Sequence, residues 1–424
     1  MNTIQDIVRP LGLMAGLLGR FWPQLLLIGC VGYIARDLLL IAAVTVGLQH
    51  PLGGMVVLSL VVLSKLLVVV MMFAALRSGL PALASLRHEA PGSTTGGGWR
   101  RDGDRMLAVT AAVILPFFAY YAAWGFLGDT VREYSRLALD RVQLGERLQI
   151  FELLNSRGLV ASILLCWAVR WIAKRMNDRS HGPGWRFLIV AADTSWIFIG
   201  LYALSAWKDE LIVWLGETLF TGDIDAGIGA SLSMAAFAAE GFIPVEFRQP
   251  ELFGQVQRFF FYALLPLVWL VIAAIINGYE LSATSARGPA MTSGAVTWRK
   301  WLRDFIAHFL GGYRARYRPV WDCLTLTLGT GLATLLTFVV VYRALNWLSA
   351  WLWYGTTRLL GPYDLTTWQA IAGILDILIG SPSDLDGGLL FGAVRIALLA
   401  AILEYAVAMR TSRKAREQEN APAT

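Results

Sequence analysis

The chain has 424 residues, 56% of them hydrophobic and only 16% charged, with mean hydropathy +0.57 and formal net charge +6. This composition excludes an ordinary soluble domain, and the length suffices for about eight helices of about 20 residues each. Arg supplies 31 of the 36 basic residues, which together with abundant Ala, Leu and Gly points to a high-GC bacterial genome.

The N-terminal segment, MNTIQDIVRPLGLMAGLLGRFWPQ, carries Asp6 and an internal Pro and lacks a small-residue cleavage site. It reads as mature sequence and not as a cleaved signal peptide. Apolar spans follow near residues 22–48, 54–77, 106–128, 158–176, 186–207, 257–278, 320–345 and 386–408. Each is long enough to cross about 30 Å of hydrocarbon. Cys30, Cys166 and Cys323 all lie inside these spans and form no disulfide framework.

Charge orients the spans. Residues 1–21, 81–105, 173–186, 279–319 and 409–424 hold 21 Lys/Arg and 9 Asp/Glu, whereas 49–53, 129–157, 208–256 and 346–388 hold 8 and 17. The positive-inside rule therefore predicts cytoplasmic N- and C-termini. The expected fold is all-α: a bundle of about eight transmembrane helices in a single integral-membrane domain, 1–424, with amphipathic interfacial helices on both faces.

Its parts, in chain order, are an amphipathic segment and first hairpin (1–80), a flexible cytoplasmic loop (81–105) and two hairpins with external helices (106–280). A basic cytoplasmic amphipathic helix (281–319), a fourth hairpin (320–408) and a cytoplasmic basic tail (409–424) complete it. The join at 49–53 is short, with Pro51 and Gly53 expected to make the turn. On the outer side, 131–154 and 364–380 carry helical pattern, the second opening on Asp364 as a cap and closing on a Gly.

Within 297–313, Trp298, Trp301, Leu302, Phe305 and Ile306 recur at helical spacing opposite Arg299, Lys300 and Arg303. This face fits the headgroups of an anionic inner leaflet, with Trp298, Arg299, Lys300, Trp301 and Arg303 in contact. The alternative is a helix packed on the bundle's own cytoplasmic end.

Charges inside spans are costly and mark where chemistry could live. The candidates are Arg36, Asp37, Lys65, Asp193, Arg395 and Glu404. Arg170 and Arg343 sit near span ends and can snorkel. Asp37 and Lys65 lie equally far from position 51, so they share one depth and are expected to pair, unless Arg36 takes Asp37 instead. Such charges either line a polar path or form neutralising pairs that fix helix register.

Thr327, Thr330, Thr334 and Thr337 form a hydroxyl stripe on the seventh span, suited to close helix packing or to a solute path. Residues 226–239 are apolar, uncharged and too short to span, so they are interfacial, buried or re-entrant. Two outward triplets, Asp223-Ile224-Asp225 and Asp384-Leu385-Asp386, are weak metal candidates; the second also reads as a turn and cap. No metal site and no cofactor are expected.

Three external joins end alike, at 151–156, 216–222 and 375–381, which suggests a repeated helix–outer helix–helix unit or simply shared hairpin chemistry. P-loop, HExxH and GxSxG motifs are missing, and the four histidines show no ligand-like pairing.

Three function classes remain open. The first is a transporter, or a subunit of a transport or envelope-assembly complex, handling a solute or lipid in the bacterial inner membrane. The second is a membrane-embedded enzyme acting on a lipid-linked substrate through Asp223, Asp225, Asp376, Asp384 or Asp386. The third is a non-catalytic membrane scaffold. The expected partners are the lipid bilayer with its anionic inner leaflet and other envelope membrane proteins, and not nucleic acid.

Overall fold

A computed structural model describes residues 3–88, 103, 106–111, 113–114, 117–118, 126–141, 156–180, 184–201, 252–283, 332–361, 363–380 and 388–419. Nearly all of these are helical, and no strand occurs among them. The helices are α1 Thr3–Gln49, α2 Pro51–Leu76, α3 Pro81–His88, α4 Phe126–Leu139, α5 Ser156–Ser180 and α6 Gly184–Leu201. Then come α7 Leu252–Ala283, α8 Leu332–Leu360, α9 Leu365–Leu378 and α10 Leu389–Glu419.

Five described stretches are long and apolar enough to cross a membrane: Val8–Gln49, Pro51–Gly79, Gly184–Leu201, Thr334–Leu360 and Leu389–Met409. The chain is therefore an all-α, multi-pass membrane protein. Its surface supports this from a second direction. Leu27, Val31, Ile34, Leu38 and Trp351 are exposed, whereas Arg395, Glu404, Ser59, Ser195 and Asn277 are buried. Water would invert that distribution; hydrocarbon tolerates it, because a polar group there must find its partner inside the protein.

Several boundaries differ from those read in the sequence. The N-terminal segment is not a separate element: α1 runs unbroken for 47 residues through Pro10 and Pro23. At 1.5 Å per residue it is about 70 Å long, well beyond the hydrocarbon thickness. Pro51 does not turn the first hairpin but opens α2. The missing N–H of proline costs nothing at a first helical position, and His50 alone separates the two helices. Residues 81–88, expected in a loop, form α3. The seventh span continues outward to Leu360, about ten residues beyond its expected end.

The fold divides into two compact units, where the sequence suggests one domain. The first comprises Met1–Tyr33, Val68–Trp99 and Arg258–Thr424, and the second Ile34–Leu67 and Arg100–Gln257. At the heart of the first unit is α10, packed against α3, α8 and α9. Its Leu389–Met409 stretch is 83% buried, against 11% for Thr334–Leu360 of α8.

The cap read at Asp364 is present: its side chain accepts from the Thr367 backbone N–H at 3.3 Å and from the Thr367 hydroxyl at 2.6 Å. It also accepts from the Thr366 hydroxyl. These bonds hold its carboxyl down at about 2. Gly380 closes the segment at φ +86°, and Gly388 lies so near that a Cβ on it would stand 2.5 Å from the Ile379 carbonyl carbon. Only glycine fits such a junction.

In the second unit α2, α4 and α6 supply the buried faces. Thr130, Tyr134 and Ala138 of α4 recur every four residues and are all buried. Phe118 meets Phe198 of α6 edge to face, ring centroids 6.2 Å apart.

Candidate functional site

The intramembrane charges are held in three separate arrangements, each tying one helix to another. In the first unit Glu404 of α10 is 4% exposed. Its two carboxylate oxygens accept from the backbone N–H groups of Ala82 and Leu83, at 2.5 and 3.0 Å. These are among the first N–H groups of α3, which have no partner within their own helix. Pro81 ahead of them brings no N–H at all. A buried carboxylate thus receives two hydrogen bonds and the positive end of a helix dipole, which offsets its desolvation.

Arg395 lies nine residues before Glu404 on the same helix, about 13 Å along the axis. It is 6% exposed, and its guanidinium carbon stands 5.6 Å from the ring centroid of buried Tyr342 on α8. That contact is a cation–π interaction in a water-poor setting, where such contacts are strongest. Arg395 and Glu404 therefore each join α10 to a different neighbour.

In the second unit Arg36 of α1 forms an ion pair with Glu133 of α4 and lies 3.5 Å from Asp37. The rotation that allows Arg36 to take Asp37 is therefore present. Glu133 was not among the sequence candidates, although it adjoins Tyr134 on the apolar stripe of α4. Lys65 is half-buried on α2.

Asp193 of α6 pairs with Arg170 of α5 at 2.5 Å and accepts from the Trp196 indole N–H at 3.2 Å. Arg170, expected to snorkel, instead turns to a carboxylate on the neighbouring helix. Ser59 of α2 and Ser195 of α6 meet hydroxyl to hydroxyl at 2.8 Å in the buried interior. Ser59 also lies 2.6 Å from the Val56 carbonyl and Ser195 2.9 Å from the Ala191 carbonyl. Two hydroxyl protons serve three contacts, so one serine donates across and the other back-bonds within its helix.

Of the threonine stripe, Thr334 is buried and Thr337 half-buried, while Thr327 and Thr330 lie outside the described residues. Also outside them are Trp298, Arg299, Lys300, Trp301 and Arg303, the triplets at Asp223, Asp225, Asp384 and Asp386, and segment 226–239. Most of the repeated joins lie there too. Among the described residues no group of three His, Cys, Asp or Glu side chains could hold a metal ion.

A groove of about 630 Å³ opens in the first unit where the N-terminal part of α1 passes the end of α10. Arg9, Gly16, Leu17 and Arg20 of α1 line one side, and Tyr405 and Met409 of α10 the other.

No protein-family model matches this chain, and no curated protein or solved structure proves similar to it.

Proposed function

We propose that the chain is a multi-pass protein of the bacterial inner membrane, a subunit of a transport or envelope-assembly complex handling a solute or lipid. In this reading it has eight spans and both termini in the cytoplasm. One observation carries the choice of a subunit over a carrier acting alone: the described buried charges are engaged in holding helices together. Glu404 caps α3, Arg395 covers Tyr342, Arg36 meets Glu133, and Arg170 meets Asp193. Charges in a translocation path must be free to change partners. The exposed apolar lengths of α1 and α8 support the same reading, since they offer broad faces to lipid or to other membrane proteins.

The test has two arms. The tagged chain, solubilised in mild detergent from its native membrane, should migrate as part of a larger assembly with a fixed stoichiometry. The purified chain, reconstituted alone into liposomes, should move no solute or lipid above the rate of empty vesicles. Saturable flux from the chain alone would restore the carrier, and migration solely as a free chain would remove the complex.

A further inference from the structure

The groove between α1 and α10 has a chemistry that the helix-fixing contacts leave unused. Arg9, Gly12, Leu13, Gly16, Leu17 and Arg20 recur at spacings of three and four, so they share one face of α1. Arg9 and Arg20 are eleven residues apart, about 16 Å along the axis, and bracket an apolar floor. Both are exposed. Across the groove stand Tyr405, Met409 and Ser412 of α10, and the lining contains no Asp or Glu.

The space exists because of small residues. A Cβ on Gly12 or Gly16 would meet nothing within 4 Å, so the side chains missing there leave open volume and not a packed contact.

The depth of the groove is fixed by the two helices that form it. On α10 the apolar stretch ends at Met409, and Arg410, Arg413 and Lys414 follow. On α1 the groove ends at Phe21, next to exposed Trp22. A tryptophan, then arginines, then polar sequence is the order in which a helix leaves hydrocarbon for headgroups. The groove thus has cations and hydroxyls at headgroup level and an apolar floor of Leu13, Leu17, Phe21 and Met409 running toward the hydrocarbon. Its volume falls in the ordinary range of small-molecule sites.

We infer that this groove is a binding site for one anionic phospholipid, drawn from the leaflet on the side of the chain termini. Its phosphate pairs with Arg20 and Arg9, and the upper part of an acyl chain lies on Leu17 and Phe21. Arginine suits this role because its planar fork can donate two parallel hydrogen bonds to a phosphate. The inference rests on the multi-pass fold and not on the subunit reading, so either can fail without the other.

The experiment uses the full chain reconstituted in nanodiscs of equal phosphatidylglycerol and phosphatidylcholine, then released for native mass spectrometry. Phosphatidylglycerol should be the retained lipid. Arg9→Gln with Arg20→Gln should lower its retention about tenfold, the loss of one charged phosphate contact. Gly16→Leu fills open space without changing charge and should lower retention as well. It also keeps the test valid if the double variant fails to fold. Equal retention of the two lipids, or unchanged retention in Gly16→Leu, would overturn the site. Inorganic phosphate displacing the lipid at millimolar concentration would also overturn it, since the groove would then hold a free anion.

Discussion

Gly47 and Gly54 face each other across the first hairpin so closely that a Cβ on Gly54 would stand 2.5 Å from the Gly47 Cα. The Tyr134 hydroxyl of α4 enters the same space, 2.7 Å from that Cβ position. Two glycines therefore let α1 and α2 approach backbone to backbone, and a tyrosine from a third helix closes the gap. The contact also sets register: Arg36 lies eleven residues before Gly47 and Lys65 eleven after Gly54, so they share one depth.

Gly47→Ala and Gly54→Ala should each destabilise the protein by about 1–3 kcal/mol, the cost of overpacking a filled site. They should respond differently to Tyr134→Phe. The obstacle at Gly47 is chiefly the tyrosine hydroxyl, so Tyr134→Phe should restore much of the stability lost in Gly47→Ala. At Gly54 the Gly47 Cα and the Ala43 carbonyl, 3.2 Å away, remain. Thermal unfolding in detergent reads both cycles, and equal rescue at the two positions would show that the hydroxyl does not distinguish them.

The Glu404 cap on α3 predicts a graded series. Glu404→Ala leaves two helix N–H groups without their acceptor and should cost about 3 kcal/mol. Glu404→Gln keeps one carbonyl acceptor and should cost about half as much. Pro81→Ala should change little by comparison, because its position needs no hydrogen bond. A Glu404→Ala variant with wild-type melting temperature would remove the cap from the account of unit one.

What the sequence shows of this fold is its period and its polarity. Apolar length places α2, α6 and α10 within a few residues, and Asp364 with Gly380 marks the outer helix. Apolar length gives no account of what a charge will meet. Arg395 and Glu404 read as a pair because they share a helix, yet each joins α10 to a different helix, one through an aromatic face and one through backbone N–H groups. No side-chain pattern announces a backbone partner. Glu133 was legible in retrospect, as the acid flanking the Thr130, Tyr134, Ala138 stripe. The continuity of α1 through two prolines was not, because neighbouring packing decides whether a proline ends a helix.

For the charges of unit two, Arg36→Glu and Glu133→Arg should each lower folded yield, with a loss of about 1–3 kcal/mol for a charged hydrogen bond. The double exchange should recover most of it. The same experiment on Asp37→Lys with Lys65→Asp tests the pair expected from the hairpin's symmetry. Recovery in that exchange would extend the network to α2. Additive losses in the first would leave Arg36 without a specific partner in Glu133.

The cap at Asp364 gives a pH dependence with a definite sign. Its carboxyl titrates at about 2 in the folded chain, below the ordinary aspartate value of 3.8. A depressed value means the ionised form is the one bound, so the capping contribution is whole above about pH 4 and fades as pH falls toward 2. Hydrogen exchange at Thr367 and Trp368 should accelerate, relative to its intrinsic rate, over that window in wild type. In Asp364→Asn it should show no such step.

Topology can be read directly. The 21 to 8 division of Lys and Arg between the joins predicts alkaline phosphatase activity for fusions after Gly222 and Gly380, and none after Gly97 and Gly312. The pair Gly222 and Gly312 is the decisive one. Between them lies α7, whose apolar Leu265–Asn277 core is shorter than a typical span and contains Pro266. If α7 crosses, activity changes between the two fusions. If both are active, α7 lies along the outer face, the basic 281–319 segment is external, and the two cytoplasmic termini require a different pairing of the remaining spans.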